Sequence, residues 1–286
     1  MTHDAYRLIR PDVQDTAVIF SSPHSGRDYP AAFLASSPLD ARTIRSSEDA
    51  FVDTLFAMAP DFGAPLLAAR LPRAFLDLNR AHDELDPGVI EGISRLAHNP
   101  RVSSGLGVIP RVVAGGRAIY RGKITLAEAE ARIAAYWHPY HATLRDLMRA
   151  TRAEFGEVVV IDCHSMPHEA IETHARHGQP RPDVVLGDRF GAAAGAQVMA
   201  RVEAAFQEAG LRVARNAPFA GAYIAQAYGR PTVLQHVVQV EIDRSLYMDE
   251  ARIELRPDVA AFRDMMAGVV ARLAEAGRKA LPLAAE

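Results

Sequence analysis

Two short apolar runs each close on a histidine followed by a serine. Ala17-Val18-Ile19-Phe20-Ser21-Ser22-Pro23-His24-Ser25-Gly26 carries the first, and Val158-Val159-Val160-Ile161-Asp162-Cys163-His164-Ser165 the second. Their length and β-branched content are those of buried strands. In an open α/β sheet, ligands bind beyond the carboxyl ends of the strands. Two such strands in one sheet bring His24 and His164 to one crevice. Two neutral imidazoles and a carboxylate suit zinc, with a fourth position left open for water. The chemistry that follows from such a group is metal-dependent hydrolysis.

A carboxylate must complete the set. Ser46-Ser47-Glu48-Asp49-Ala50-Phe51-Val52-Asp53 opens a predicted helix over 47–58, whose inner face carries Val52, Leu55, Phe56 and Ala59. Glu48 and Asp49 both border that face, so helical periodicity does not choose between them. Acids in a first turn also serve the helix dipole. A second polar group follows the second histidine: His168, Glu169, Glu172, His174 and His177. It does not have the spacing of the helical two-histidine zinc pattern. With Pro167 and Gly178 around it, it reads as a loop near the site.

The elements that must position these residues alternate. Strands are expected at 17–22, 65–69, 74–78, 158–163, 183–187 and 233–242, with weaker signals near 211–215 and 221–226. Helices are expected at 47–58, 125–137, 139–152, 189–209 and 258–276. Thr125-Leu126-Ala127-Glu128 has the form of a capping box. Pro139 suits a first helical position or kinks one longer helix, and Gly210 suits a helix end. This order predicts an α/β fold: a three-layer arrangement with a twisted, mostly parallel or mixed sheet flanked by helices. Glycines and prolines crowd the stretch 80–124, which reads as one long loop insertion, and such loops are often functional. Without a repeat or a low-complexity linker, 1–286 is expected to be a single domain.

Composition sets the outer bounds. Of 286 residues, 49% are apolar and 23% charged, with a net charge of −3. The charges are dispersed, so neither a nucleic-acid surface nor a disordered tail is indicated. No apolar run is long enough for a bilayer, and the N-terminus lacks the pattern of a signal peptide. A cytoplasmic location is the default expectation. The lone Cys163 excludes an intrachain disulfide and a Cys-rich zinc module. No Gly-x-Ser-x-Gly elbow supports a serine hydrolase.

Further segments carry a resemblance. Ser22-Pro23-His24-Ser25-Gly26, Phe75-Leu76-Asp77-Leu78-Asn79-Arg80, Trp137-His138-Pro139-Tyr140-His141, Ile161-Asp162-Cys163-His164-Ser165-Met166-Pro167 and Gln239-Val240-Glu241-Ile242-Asp243-Arg244-Ser245-Leu246-Tyr247-Met248 occur in that order. Together they resemble the N-formylglutamate amidohydrolase family across most of the chain. The Asp-Leu-Asn-Arg step is also similar to one in zinc carboxypeptidases and aspartoacylase-type deacylases, which implies a zinc-exopeptidase-like fold.

The resemblance implies roles for particular residues. His24, Asp49 and His164 fall on the metal ligands, Asp49 matching the acidic position better than Glu48. Here the chain departs from the carboxypeptidase pattern, in which the first histidine and the acid lie close together. Glu241 falls where related deacylases hold a general base. Asn79 and Arg80 would receive the substrate carboxylate, a guanidinium fork matching a carboxylate bidentately. Arg244 and Arg132 are candidate second anchors. Asp162 is a candidate hydrogen-bond partner for a metal-bound imidazole. Ser25 and Ser165 would tune the histidine loops, and Cys163 would pack on the other side of its strand. The implied cofactor is one Zn²⁺ per chain, although manganese, cobalt or iron suit the same donors. The implied partner is a small N-acyl amino acid, N-formyl-L-glutamate first. The rivals are another N-formyl or N-acyl amino acid, or a non-catalytic carboxylate-binding protein on the same fold.

Overall fold

The computed structural model describes residues 2–93, 99–172 and 180–278. Its main sheet is built from β1 (Thr2–His3), β2 (Tyr6–Ile9), β3 (Val18–Ser22), β4 (Leu66–Ala69), β5 (Val158–Met166), β6 (Val184–Gly187), β7 (Val213–Arg215) and β8 (Gln235–Asp243). The strand order is β1-β2-β4-β3-β5-β8-β6-β7. The four central strands, β4, β3, β5 and β8, run parallel. Antiparallel pairs β2–β4 and β6–β8 flank them, giving a mixed, mostly parallel sheet. Strands covered on both faces read as unbroken apolar runs rather than alternating ones, as β3 and β5 do; both are buried along their full length.

Helices cover both faces. On one side Ile19, Leu67, Val158, Val160 and Val237 pack against Tyr140, Leu144, Leu147 and Met148 of a long helix. On the other, Val18, Phe20, Val159, Ile161 and Val240 meet Val198, Met199, Val202 and Phe206, together with Met266, Val269, Val270 and Leu273. The helices involved are α1 (Leu126–Arg132), α2 (His138–Phe155), α3 (Ala196–Gln207) and α4 (Val259–Ala276). Thr125 caps α1 by accepting the Glu128 N–H at 3.1 Å. Between α1 and α2 the chain keeps coiling as a π segment, Ile133–Trp137. Pro139 thus follows a bulge in one continuous helix: it has no N–H to donate, so the wider turn before it sacrifices no bond there. No helix of the described residues is long and apolar enough to cross a membrane.

Four expectations differ from what the backbone does. The predicted strand 74–78 is a sequence of turns whose Asp77 N–H bonds to the Val108 carbonyl at 2.8 Å. Its apolar residues Phe75, Leu76 and Leu78 are buried in the core without a neighbouring strand. The weak strand at 221–226 is instead the short helix Tyr223–Tyr228, in keeping with its alanines and glutamine. The helix expected over 47–58 shrinks to Val52–Leu55, because Phe51 takes a left-handed φ of 66° and breaks the coil before it. Arg189 and Phe190, at φ 55° and 57°, likewise delay α3 to Ala196.

Within the stretch 80–124, the described residues 80–93 and 99–124 pack against the sheet face. Val89, Ile90, Val108, Ile109, Val113 and Ile119 join the core. Ile90 forms a parallel bridge with Ile124, and Asn99 caps a single helical turn, Pro100–Ser103.

Candidate metal centre and substrate cavity

His24 lies just beyond β3 and His164 near the end of the adjacent parallel strand β5, so both reach the same edge of the sheet. Asp49 arrives from the loop that follows, its N–H bonded to the His24 carbonyl at 3.1 Å. One ligand atom from each of the three lies within 4.8 Å of the others, and all three residues are buried. Asp49 Oδ2 is 2.8 Å from His164 Nδ1 and 3.4 Å from His24 Nδ1. His24 Nδ1 is buried and has no hydrogen-bond partner among the described residues. An orphaned donor atom of this kind is costly unless something binds it.

The other ring nitrogens are turned away onto carboxylates. His24 Nε2 is 2.7 Å from Asp77 Oδ1, and His164 Nε2 is 3.1 Å from Asp162 Oδ2. Metal-binding histidines are usually oriented in this way. Asp77 is shared with Arg73, whose Nε donates to Oδ2 at 3.0 Å. Arg244 Nη2 donates to Asp49 Oδ1 at 2.9 Å and its Nε to Ser165 Oγ at 3.1 Å. The remaining oxygen, Asp49 Oδ2, faces the two Nδ1 atoms. Two nitrogens and one carboxylate oxygen at the mouth of a cavity fit a divalent ion with an open position.

The electrostatics point the same way. Burial works against ionising Asp49, yet the hydrogen bond from His164 and the nearby His24 imidazole hold its carboxyl well below the usual range. Asp77 behaves alike, burial being outweighed by His24, Arg73 and Arg80. Burial disfavours a charged His164, but Asp162, with Asp49 and Glu241, lifts it well above an ordinary imidazole. The cluster is poised to surround positive charge, supplied by a proton or by a metal ion.

Glu241 stands opposite His164 in the β5–β8 register. Its Oε1 accepts from Gln239 Nε2 at 2.8 Å, and Gln239 Oε1 in turn accepts the Ala222 N–H at 2.8 Å. Burial pushes the Glu241 carboxyl up to about 7; His164 opposes the rise and Asp49 adds to it. Glu241 forms no ion pair with Arg244 among the described residues; Arg244 is committed to Asp49 and Ser165.

A cavity of about 560 Å³ opens over this group, lined by His24, Asp49, His164, Glu241, Arg73, Arg80, Arg101 and Arg244. Leu106, Val112, Val113 and the Ala114–Gly116 tip of the 80–124 stretch form one wall, and Pro218–Ala222 contribute to another. Asn79 also lines it, but its amide is engaged within the protein. Nδ2 donates to Asp162 Oδ2 at 3.1 Å, and Oδ1 accepts the Ile224 N–H at 2.7 Å. His141 supports the same turn. Burial, above all, lowers its pKa to about 3, so the neutral ring donates from Nε2 to the Leu78 carbonyl at 2.9 Å and accepts from Tyr228 at 2.8 Å.

Other candidates lie elsewhere. Glu48 accepts from Tyr29 and from Arg45 at 2.5 and 3.0 Å, away from the histidines. Arg132 donates to the Phe75 carbonyl and Tyr120, pairs with Glu128 and stacks on the Phe75 ring, outside the cavity lining. Cys163 is buried in the opposite core layer. His168 bonds to Asp243 at 2.8 Å, while His174 and His177 lie outside the described residues. Arg73, Arg101 and Gln239 were not singled out by motif. A weak signal existed for Arg73, four residues before Asp77, and for Gln239, two before Glu241 on the same strand face.

A family model described as N-formylglutamate amidohydrolase matches residues 16–248, a span that includes the whole cluster from His24 to Arg244. The chain belongs to that family. N-formylglutamate deformylase of Pseudomonas aeruginosa (strain PAO1) is 32% identical over 250 residues, 85% of this chain and 86% of that protein. The protein of the same name from Pseudomonas putida is 28% identical over 249 residues, again 85% of this chain and 86% of that one. The crystal structure of N-formylglutamate amidohydrolase from Ralstonia eutropha JMP134 has a TM-score of 0.87 and 34% identity, covering 96% of this chain and 98% of that one. A gene product of Agrobacterium tumefaciens, 16% identical with a TM-score of 0.60 over 93% and 94% of the chains, shares the fold. As a member of the N-formylglutamate amidohydrolase family, this protein is a hydrolase.

Proposed function

We propose that the protein hydrolyses N-formyl-L-glutamate to formate and L-glutamate with one divalent ion, zinc, held by His24, Asp49 and His164. The observation that carries this reading is the buried, unpartnered Nδ1 of His24, facing Asp49 Oδ2 and His164 Nδ1 while both Nε2 atoms rest on carboxylates. When bound there, the ion supplies Lewis acidity toward the formyl oxygen and lowers the pKa of a water toward neutrality.

The protein's own groups do the rest. Glu241, across from His164, accepts a proton from the attacking water at its carboxylate. It then delivers that proton to the amide nitrogen as the C–N bond breaks, releasing glutamate as the amine. A pKa near 7 suits both directions of transfer. Gln239 fixes the carboxylate through Oε1. Arg80 binds the α-carboxylate, holding the formyl carbon in line with the water. Its guanidinium lies in the cavity with no carboxylate within ion-pair distance among the described residues, while Nε and Nη1 are tethered to the Leu106 and Asn79 carbonyls. Asn79 acts through Asp162 and His164 rather than on the substrate, and Arg244 orients Asp49.

Formate release from N-formyl-L-glutamate, after chelation and again after adding Zn²⁺, tests the reading. Activity abolished by chelator and restored by zinc is expected. A zinc-loaded protein that releases no formate overturns the substrate assignment, and a purified protein that takes up no divalent metal overturns the mechanism.

A further inference from the structure

Among the described residues four arginines line the cavity, and they divide by partner. Arg73 is paired with Asp77 and Arg244 with Asp49. Arg80 and Arg101 have no carboxylate within 4.0 Å among the described residues, and no hydrogen bond from the Arg101 guanidinium is found there. Arg80 is buried and tethered; Arg101 is exposed at the rim. One residue joins them. Leu106 accepts from Arg80 Nε at 2.9 Å through its carbonyl and donates its N–H to the Arg101 carbonyl at 2.8 Å. Asn99 Oδ1 caps the Arg101 N–H at 3.0 Å, fixing the start of the same turn. Leu106 therefore ties the Arg80 guanidinium to the turn that carries Arg101, and both arginines line the cavity. Burial lowers the Arg80 pKa; Arg73 and then Arg101 add to the fall, and Asp77 and Glu84 oppose it.

Two guanidinium groups that line one cavity and pair directly with no carboxylate among the described residues are a cost to the empty protein, only partly offset at Arg80 by Asp77 and Glu84, and recovered when a ligand brings two anionic groups. We propose that Arg101 is the specificity-determining anchor for the second, side-chain carboxylate of the substrate. It would make the enzyme selective for N-acylated acidic amino acids over their neutral counterparts. This rests on the amide-hydrolysis reading above, with Arg80 taking the α-carboxylate near the metal group and Arg101 the outer one. Being exposed, the outer contact is screened by salt, whereas the inner one is not.

The test is the ratio of kcat/KM for N-formyl-L-glutamate to that for N-formyl-L-glutamine, an uncharged near-isostere, in wild type and Arg101→Ala. The ratio should fall about tenfold in the variant, chiefly through KM for the dicarboxylate. Arg101→Lys should restore part of it, and added NaCl should narrow the wild-type ratio but not that of Arg101→Ala. An unchanged ratio in Arg101→Ala, whether both rates persist or both collapse, overturns the proposal. If the wild type cleaves neither compound, the hydrolysis reading fails separately. Calorimetric binding of glutarate against butyrate then decides: weaker glutarate binding in Arg101→Ala supports the anchor, and equal binding refutes it.

Discussion

At the scale of single residues, the site separates groups that meet the reacting atoms from groups that aim them. Glu241 belongs to the first kind. Replacing it with Gln keeps the shape and the Gln239 contact but removes the proton acceptor. Turnover should fall roughly 10²–10⁴-fold with zinc content unchanged. Near-normal turnover in Glu241→Gln would take it out of the mechanism. Asp162 and Asp77 belong to the second kind, each lying against the Nε2 of one histidine, at 3.1 and 2.7 Å. Asp162→Asn keeps the size of the partner but weakens the pull on the His164 ring. Zinc affinity, measured by competition with a chromogenic chelator, should drop about 10–100-fold. Wild-type affinity in that variant would mean that the His164 orientation is set by packing alone.

At the scale of elements, the histidine loop after β3 depends on a close backbone approach. A Cβ placed on Gly26 would sit 2.1 Å from the Leu71 carbonyl oxygen, just past β4. Gly26→Ala must push the loop carrying His24 away from β4, with a stability loss of about 1–3 kcal/mol and a melting point lower by several degrees. Gly122→Ala, where a Cβ meets nothing within 4 Å, is the control, and equal melting points for the two variants would contradict the steric account. These parallel strands were also the most legible part of the sequence. β3 and β5 are buried on both faces, so their apolar runs are continuous and end where polar chemistry begins. His24 and His164 could be read from that ending alone. Asp49 could not, because 47–58 is not one helix: with Phe51 left-handed, helical periodicity has no bearing on which acid faces inward. Asp49 is placed by its bond to the His24 carbonyl, a contact between loops that no local pattern encodes. The same holds for Arg101, whose place in the cavity depends on how the 80–124 stretch folds back, and for Arg244, whose partner lies 195 positions away.

At the scale of the whole molecule, a chain of net charge −3 concentrates Asp49, Asp77, Asp162 and Glu241 in one buried region, and the balance there depends on bound protons or metal. Without metal, folded Glu241 has its pKa raised by burial from 4.5 to about 7, so folding binds a proton that the unfolded chain releases. Its penalty on stability is absent below pH 4.5 and complete above about 7. His164 is raised above 6.5, against burial, chiefly by Asp162. The stability it lends is full below 6.5 and lost as pH climbs through the folded value. Both groups therefore lower metal-free stability as pH rises from about 5 to 8. Asp49 and Asp77, depressed below 3.8, give stability that is lost only in acid below that value. Zinc requires the deprotonated imidazole, so its affinity rises over the same interval in which the metal-free protein weakens. Because a ligand at fixed free concentration L stabilises the folded state more as its Kd falls, by RT ln(1 + L/Kd), the zinc-induced increase in Tm should widen steadily from pH 5.5 to pH 8. Melting curves at fixed free zinc and with excess chelator measure this directly. Parallel curves across that range would show that the cluster neither binds zinc through His164 nor holds the proton that zinc is expected to displace.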